Sequence, residues 1–204
     1  MDRLIGVPIV LTEKMDGSNT SLEREGCFAR THAGAPTHKS FDQLKALHAT
    51  IKHLLPKHIQ YFGEWCYAKH SIAYEELPGY FLMFGIRELQ IAGYNIGGKE
   101  GEDLSYWYDW QTVEDMATIL GVHTVPVLFK GQVSSEKELQ ELVERLMKQP
   151  SVCGGVREGV VARVNGTFKE PEFSSCVMKC VRANHVQTTE HWKDQEITKN
   201  KLKL

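Results

Sequence analysis

Residues 9–20 read Ile9-Val10-Leu11-Thr12-Glu13-Lys14-Met15-Asp16-Gly17-Ser18-Asn19-Thr20, and the reading of the fold turns on them. Ile9, Val10 and Leu11 form a short apolar run, largely β-branched, that suits a buried strand. Asp16-Gly17 predicts a break directly after it, because Gly permits turn backbone and Asp bonds nearby amides. Lys14 therefore falls at the rim of the strand, between Glu13 and Asp16. An amine held at such a strand end is a candidate nucleophile.

A chain of 204 residues with 42% hydrophobic composition can bury one sizeable core, so one domain is expected. The net charge of −2 does not by itself announce a nucleic-acid partner. Five cysteines are an odd number without paired spacing, which points to free thiols in a reducing compartment. No signal-peptide pattern or membrane-length apolar run is present. The expectation is an intracellular protein, cytoplasmic or nuclear, with no membrane partner.

Outward from the lysine, residues 20–30 predict a second strand and a bend at Gly26, and residues 31–38 a loop. Phe41, Leu44, Leu47, Ile51 and Leu54 recur at helical spacing up to Pro56, with His48, His53 and His58 on a solvated face. Residues 61–66 and 80–86 read as strands, and 88–103 as irregular. Thr112-Val-Glu-Asp115 reads as a capping-box variant opening a helix, with Val113, Met116, Ile119 and Leu120 inward. Residues 122–129 read as one strand. Ser135-Glu-Lys-Glu138 is a second capping box, ahead of Leu139, Leu142, Val143 and Leu146 on one helical face. Strands follow at 158–164 and 176–181. Strands bounded by helices along the whole chain predict an α+β fold.

Several charged residues stand inside apolar strands. Glu64, in Phe-Gly-Glu-Trp, would be costly if buried unpaired, so it needs an arginine, a hydroxyl pair or a metal-bound water. Glu158 opens a Val-Val strand, and Lys179 sits within Val-Met-Lys-Cys-Val. Lysine as a compact charge suits phosphate neutralisation. Two lysines and two or three carboxylates at strand ends would equip phosphoryl or nucleotidyl transfer. Two other patterns are weaker. Residues 93–100 nearly fit a P-loop but lack its Ser or Thr. Cys176, Cys180, His185 and His191 could suggest zinc, but the cysteines bracket Lys179 on a predicted strand.

Taken in order, these pieces resemble the covalent nucleotidyltransferases, the superfamily of ATP-dependent ligases and capping enzymes. Lys14-Met-Asp-Gly17 resembles motif I, and Arg30 the phosphate-contacting arginine that follows it. Phe62-Gly-Glu-Trp65 looks like motif III, and Phe81-Leu-Met-Phe-Gly-Ile86 like motif IIIa. Glu158-Gly-Val-Val161 is similar to motif IV and Met178-Lys-Cys180 to motif V. Asn19, five residues after Lys14, is most similar to the nick-sealing, RNA ligase 2-like group. Two positions depart from the pattern: Val181, with Arg182 beside it, replaces a second motif V lysine, and Gly85 an acidic residue of motif IIIa.

The resemblance implies a nucleotidyltransferase core of antiparallel sheets with flanking helices over residues 1–192, and a basic tail at 193–204. It implies ATP with Mg²⁺ or Mn²⁺, and nicked or broken RNA, or an RNA–DNA hybrid, as the partner. Lys14 would carry AMP, Glu64 hold the ribose, and Phe84 stack on adenine. Arg30 and Lys179 would neutralise phosphate, Glu158 would organise the divalent ion, and Glu13 and Asn19 would join the nucleotide-binding set. The chain would be a minimal ligase, or a catalytic piece that borrows a separate nucleic-acid-binding domain or protein. Two alternatives remain. One is a GTP-using capping guanylyltransferase; the other is a degenerate core that binds nucleic acid without chemistry. The tail, with Trp192 among its lysines, reads either as a solvated end or as a phosphate-tracking arm.

Overall fold

The computed structural model describes residues 2–30, 34–90, 103–183 and 197–204. The P-loop-like stretch at 93–100, and His185, His191 and Trp192, lie outside the described residues. In chain order the elements are β1 (Pro8–Lys14), β2 (Ser18–Leu22), β3 (Cys27–Ala29), α1 (Asp42–Ile51), β4 (Ile59–Trp65), β5 (Phe81–Glu88), β6 (Tyr106–Trp107), α2 (Trp110–Leu120), β7 (His123–Thr124), β8 (Val127–Gln132), α3 (Glu136–Met147), β9 (Gly159–Val164), β10 (Phe168–Lys169), α4 (Phe173–Cys176) and β11 (Val177–Val181). This is the expected α+β architecture.

The strands form two sheets. One has the order β11-β9-β1-β8; the other runs β10-β6-β5-β4-β2-β3, with β7 beside β5. Every pairing is antiparallel except β5 with β7. β1 is buried on both faces, which is why its sequence shows a continuous apolar run rather than alternation. Ile9 and Leu11 join a core with Leu139, Leu142, Val143 and Leu146 of α3 and with Val160 and Ala162 of β9. Val10 joins the larger core, built from the second sheet, α1 and α2. Each of the four buried α3 side chains contributes about 1.5–3 kcal/mol of apolar burial.

α3 starts at the predicted cap, with Glu138 N donating to Ser135 Oγ. The Glu138 carboxylate, however, reaches back to the Ser134 amide, one residue before the cap, instead of closing the expected box on Ser135. α2 begins earlier than expected. Asp109 is its cap, accepting from both the amide and the hydroxyl of Thr112, so the threonine donates to the cap instead of being it. Ile119 lies 60% exposed, outside the inward face. The single strand expected at 122–129 is divided at Pro126, which has no N–H to give. Its first part pairs with β5 and its second with β1. His48 is buried, not solvated: its Nε2–H reaches the Glu23 carbonyl oxygen at 2.7 Å. The five cysteines are free thiols. Among the described residues no helix is long and apolar enough to cross a membrane.

Two connections matter for the site. Residues 15–17 carry the chain from the end of β1 in one sheet to the start of β2 in the other. Residues 197–203 lie along the segment that follows β4. There Lys69 N donates to the Thr198 carbonyl, Asn200 N to Tyr67, Lys201 N to Tyr74, and Leu77 N to Lys201. These last residues are stitched to the body, in contrast to the solvated end or free arm that their charge suggested.

Candidate active site

The antiparallel pairing of β1 with β9 sets Lys14 opposite Gly159, and so brings Lys14 beside Glu158 from 144 positions away. Lys14 Nζ lies 2.6 Å from Glu158 Oε1. Lys14 is partly open to solvent, whereas Glu158 is buried. Gly159 is required by the neighbouring strand, since a Cβ there would lie 2.3 Å from the Cys180 carbonyl oxygen of β11. That close approach holds β11, with Lys179, tightly against β9, the strand that Glu158 leads into.

Lys179 pairs with Val161, which pairs with Thr12. Directly paired residues point to one side of a sheet, and Thr12 and Lys14 are two apart on β1. Lys179 therefore shares the sheet face of Lys14, where it is exposed.

The second sheet supplies the rest. Glu64 pairs with Asn19, which places a carboxylate and an exposed amide side by side. The Gly17 amide donates to Glu64 Oε1 at 3.2 Å, and a Cβ on Gly17 would lie 2.7 Å from the Trp65 carbonyl oxygen. The lysine turn thus abuts the end of β4. Burial pushes the Glu64 carboxyl up to about 8; Lys14 opposes the rise and Glu158 adds to it. Phe84 sits at an irregularity of β5, between Met83, partner of Gly63, and Gly85, partner of Phe62. Arg30 is exposed just after β3, following Ala29, the partner of Thr20.

Glu13 is the exception within the nucleotide set. One position from Lys14 on the same strand, it faces the opposite side of the sheet and is buried. Its Oε2 accepts from the Val152 amide at 3.0 Å and from Arg157 Nη2 at 3.4 Å.

The structure also gives Asp16 partners far along the chain and adds residues that sequence reasoning passed over. Asp16 Oδ2 accepts from the amides of Ser71 and Ile72, both at 2.7 Å, while its own amide donates to the Tyr74 hydroxyl at 2.8 Å. Buried Arg163 donates to the carbonyls of Tyr108 (2.6 Å) and Phe84 (3.4 Å), tying the two sheets together next to Phe84. Burial lowers its pKa to about 10, so it stays charged at neutral pH. A charged residue inside Val-Val-Ala-Arg-Val was the same signal that singled out Lys179. For Asn200 no sequence signal existed.

Cationic and carboxylate groups at one seam suit a nucleotide triphosphate with a divalent ion. Among the described residues no group of three metal-ligating side chains is assembled. Glu158 and Glu64 are the carboxylates beside Lys14 that could contribute an oxygen to such an ion.

Among curated protein sequences none matches the chain. Among solved structures, a mutant Naegleria gruberi RNA ligase with ATP and Mn matches with a TM-score of 0.55 at 17% identity, over 91% of this chain and 53% of that one. Naegleria gruberi RNA ligase with PPi matches at 0.52 and 18%, over 88% and 50%. A second mutant of it, with AMP and Mn, matches at 0.53 and 16%, over 88% and 51%. At these identities the likeness is one of fold, and the chain spans about half the length of these structures. The RNA ligase family model matches residues 7–181, and the chain belongs to the RNA ligase family.

Proposed function

We propose that this chain is the nucleotidyl-transferring core of an ATP-dependent RNA ligase that joins 5′-phosphate and 3′-hydroxyl ends. The observation that carries the reading is Lys14 Nζ at 2.6 Å from Glu158 Oε1, at the seam between two sheets, with Lys179 on the same face. The Naegleria relatives bear ATP or AMP with Mn, which favours ATP and a divalent metal for this chain too.

In the first step the Lys14 lone pair attacks the α-phosphorus of ATP. A P–N bond forms, and the P–O bond to pyrophosphate breaks with its electron pair. An ammonium has no lone pair, so a proton must leave first, and Glu158 Oε1 is an acceptor within reach. A 5′-phosphate oxygen then displaces the lysine from the AMP phosphorus. Finally a 3′-hydroxyl attacks that 5′-phosphate, and AMP departs. Lys179 and Arg30 neutralise phosphate, Glu64 and Asn19 face the ribose, and Phe84 meets the base. The divalent ion, when bound, supplies further neutralisation of phosphate charge. A nick in an RNA-containing duplex is the proposed substrate, bound through the cleft rim or with the help of a separate nucleic-acid-binding domain or protein.

The test is incubation with α-labelled ATP or GTP and Mg²⁺. The expected result is a labelled wild type, an unlabelled Lys14→Ala, and loss of ~10²-fold or more in rate for Glu158→Gln or Lys179→Ala. Labelling that survives Lys14→Ala overturns the mechanism, and labelling by GTP alone moves the chain to capping chemistry.

A further inference from the structure

The turn after the proposed nucleophile sinks Met15 into the larger core and holds its polar side through Asp16. It is held from behind by a loop, and the loop is held by residues 197–203. Asn200, 3% exposed, is the centre of that attachment. Its Oδ1 accepts from the Tyr74 amide at 2.9 Å, and its Nδ2 donates to the carbonyls of Cys66 (2.8 Å) and Ala68 (3.4 Å). One buried side chain thus clasps both ends of the segment 66–74. Within that segment Tyr74, 1% exposed, accepts from the Asp16 amide, and the Ser71 and Ile72 amides bind the Asp16 carboxylate. A second route reaches the other neighbour of Lys14: the amides of Glu75 and Glu76 donate to the Cys153 carbonyl, and the adjacent Val152 amide donates to Glu13.

We infer that residues 197–203 are a positioning strap for the nucleophile, in which Asn200 and Tyr74 are positioning residues that fix the Lys14 turn through Asp16. This rests on the reading of Lys14 as the nucleophile. It assigns the strap to the lysine step, rather than to tracking of nucleic-acid phosphates. The lysines of the strap are compatible with that assignment. Lys201 is paired with Glu75 at 2.6 Å, and Lys199 lies over the Tyr67 ring.

Tyr74→Phe removes only the hydroxyl that accepts from Asp16, and Asn200→Asp keeps the acceptor for Tyr74 while losing both donated bonds. Single-turnover labelling of Lys14 by α-labelled ATP should be about tenfold slower in each, the kinetic equivalent of one lost hydrogen bond. The ATP concentration for half-maximal rate should stay within about twofold of wild type. A nick supplied already adenylated on its 5′-phosphate bypasses Lys14, and its sealing should proceed at the wild-type rate. Wild-type labelling in both variants overturns the strap. So does equal loss of labelling and of pre-adenylated sealing with a lowered melting temperature, which would mean a merely structural role. Loss confined to pre-adenylated sealing would make the strap an RNA contact. A wild type that accepts no label fails at the earlier reading, which the same experiment reveals before any variant is compared.

Discussion

Glu13 and Arg157 form an ion pair on the reverse side of the two strands whose front carries Lys14 and Glu158. Each member of the rear pair is the chain neighbour of a member of the front pair. The rear pair is almost wholly excluded from solvent, with side-chain exposures of 2% and 0%. It also reaches the end of α3, since Arg157 Nη1 donates to the Leu146 carbonyl.

Removing one partner of such a pair leaves a buried charge. Arg157→Met should cost about 3–5 kcal/mol in urea unfolding, and Glu13→Gln a comparable amount. The double variant should be more stable than Arg157→Met alone. A rear pair that is dispensable would show additive, small losses instead.

The Glu64 carboxyl gives a pH dependence with a definite sign. Its folded value, about 8, lies above the ordinary 4.5, so folding favours the neutral form. Its contribution is complete below about 4.5, falls as pH rises through the interval, and is lost above about 8. Wild-type melting temperature should therefore drop between pH 5 and 8 more steeply than that of Glu64→Gln. Parallel curves would assign the pH dependence to other groups.

Gly159→Ala should act on the site through the backbone. The new Cβ would meet the Cys180 carbonyl oxygen, so β9 and β11 must part, moving Lys179 away from Lys14 and Glu158. Labelling should fall by ~10²-fold or more, as for loss of an electrostatic stabiliser. Gly166→Ala, whose Cβ would lie 3.9 Å from its nearest neighbour atom, is the control and should stay within about 0.5 kcal/mol of wild type.

Arg163→Met would leave the partly buried carbonyls of Phe84 and Tyr108 without this donor, at about 1 kcal/mol each. The half-saturating ATP concentration should rise several-fold in Arg163→Met and in Phe84→Ala. Combining the two should add little. Full additivity would separate Arg163 from Phe84.

The parts of the fold legible in the sequence were those written in local pattern. The α3 face and its cap, the strand before Lys14, and the break at Asp16-Gly17 all follow from neighbours a few residues apart. Motif order put Lys14 and Glu158 in one candidate site, but their direct ion pair was not foreseen. What the sequence concealed depended on distant partners. Thr112 resembled a cap because Asp109, the actual one, stood outside the scanned motif. Residues 122–129 looked like one strand because their apolar character suits either sheet, and only Pro126 divides them. His48 looked solvated because its partner is a backbone carbonyl. Asn200 carried no signal, since the three partners of its side chain are all main-chain groups.

The central place of β1 has a consequence for how the chain reaches this state. Its two pairing strands are residues 127–132 and 159–164, so this apolar segment is completed only by strands that follow it at a long distance in the chain. At ~5–20 residues per second, synthesis of the intervening chain takes on the order of ten seconds. For that interval Ile9, Val10 and Leu11 form an unpaired sticky edge, exposed to other nascent chains. Closing so long a loop also makes folding slow. Lys14 is thus made well before the strands that complete its surroundings, and chains that stop short of residue 158 cannot form its pair with Glu158.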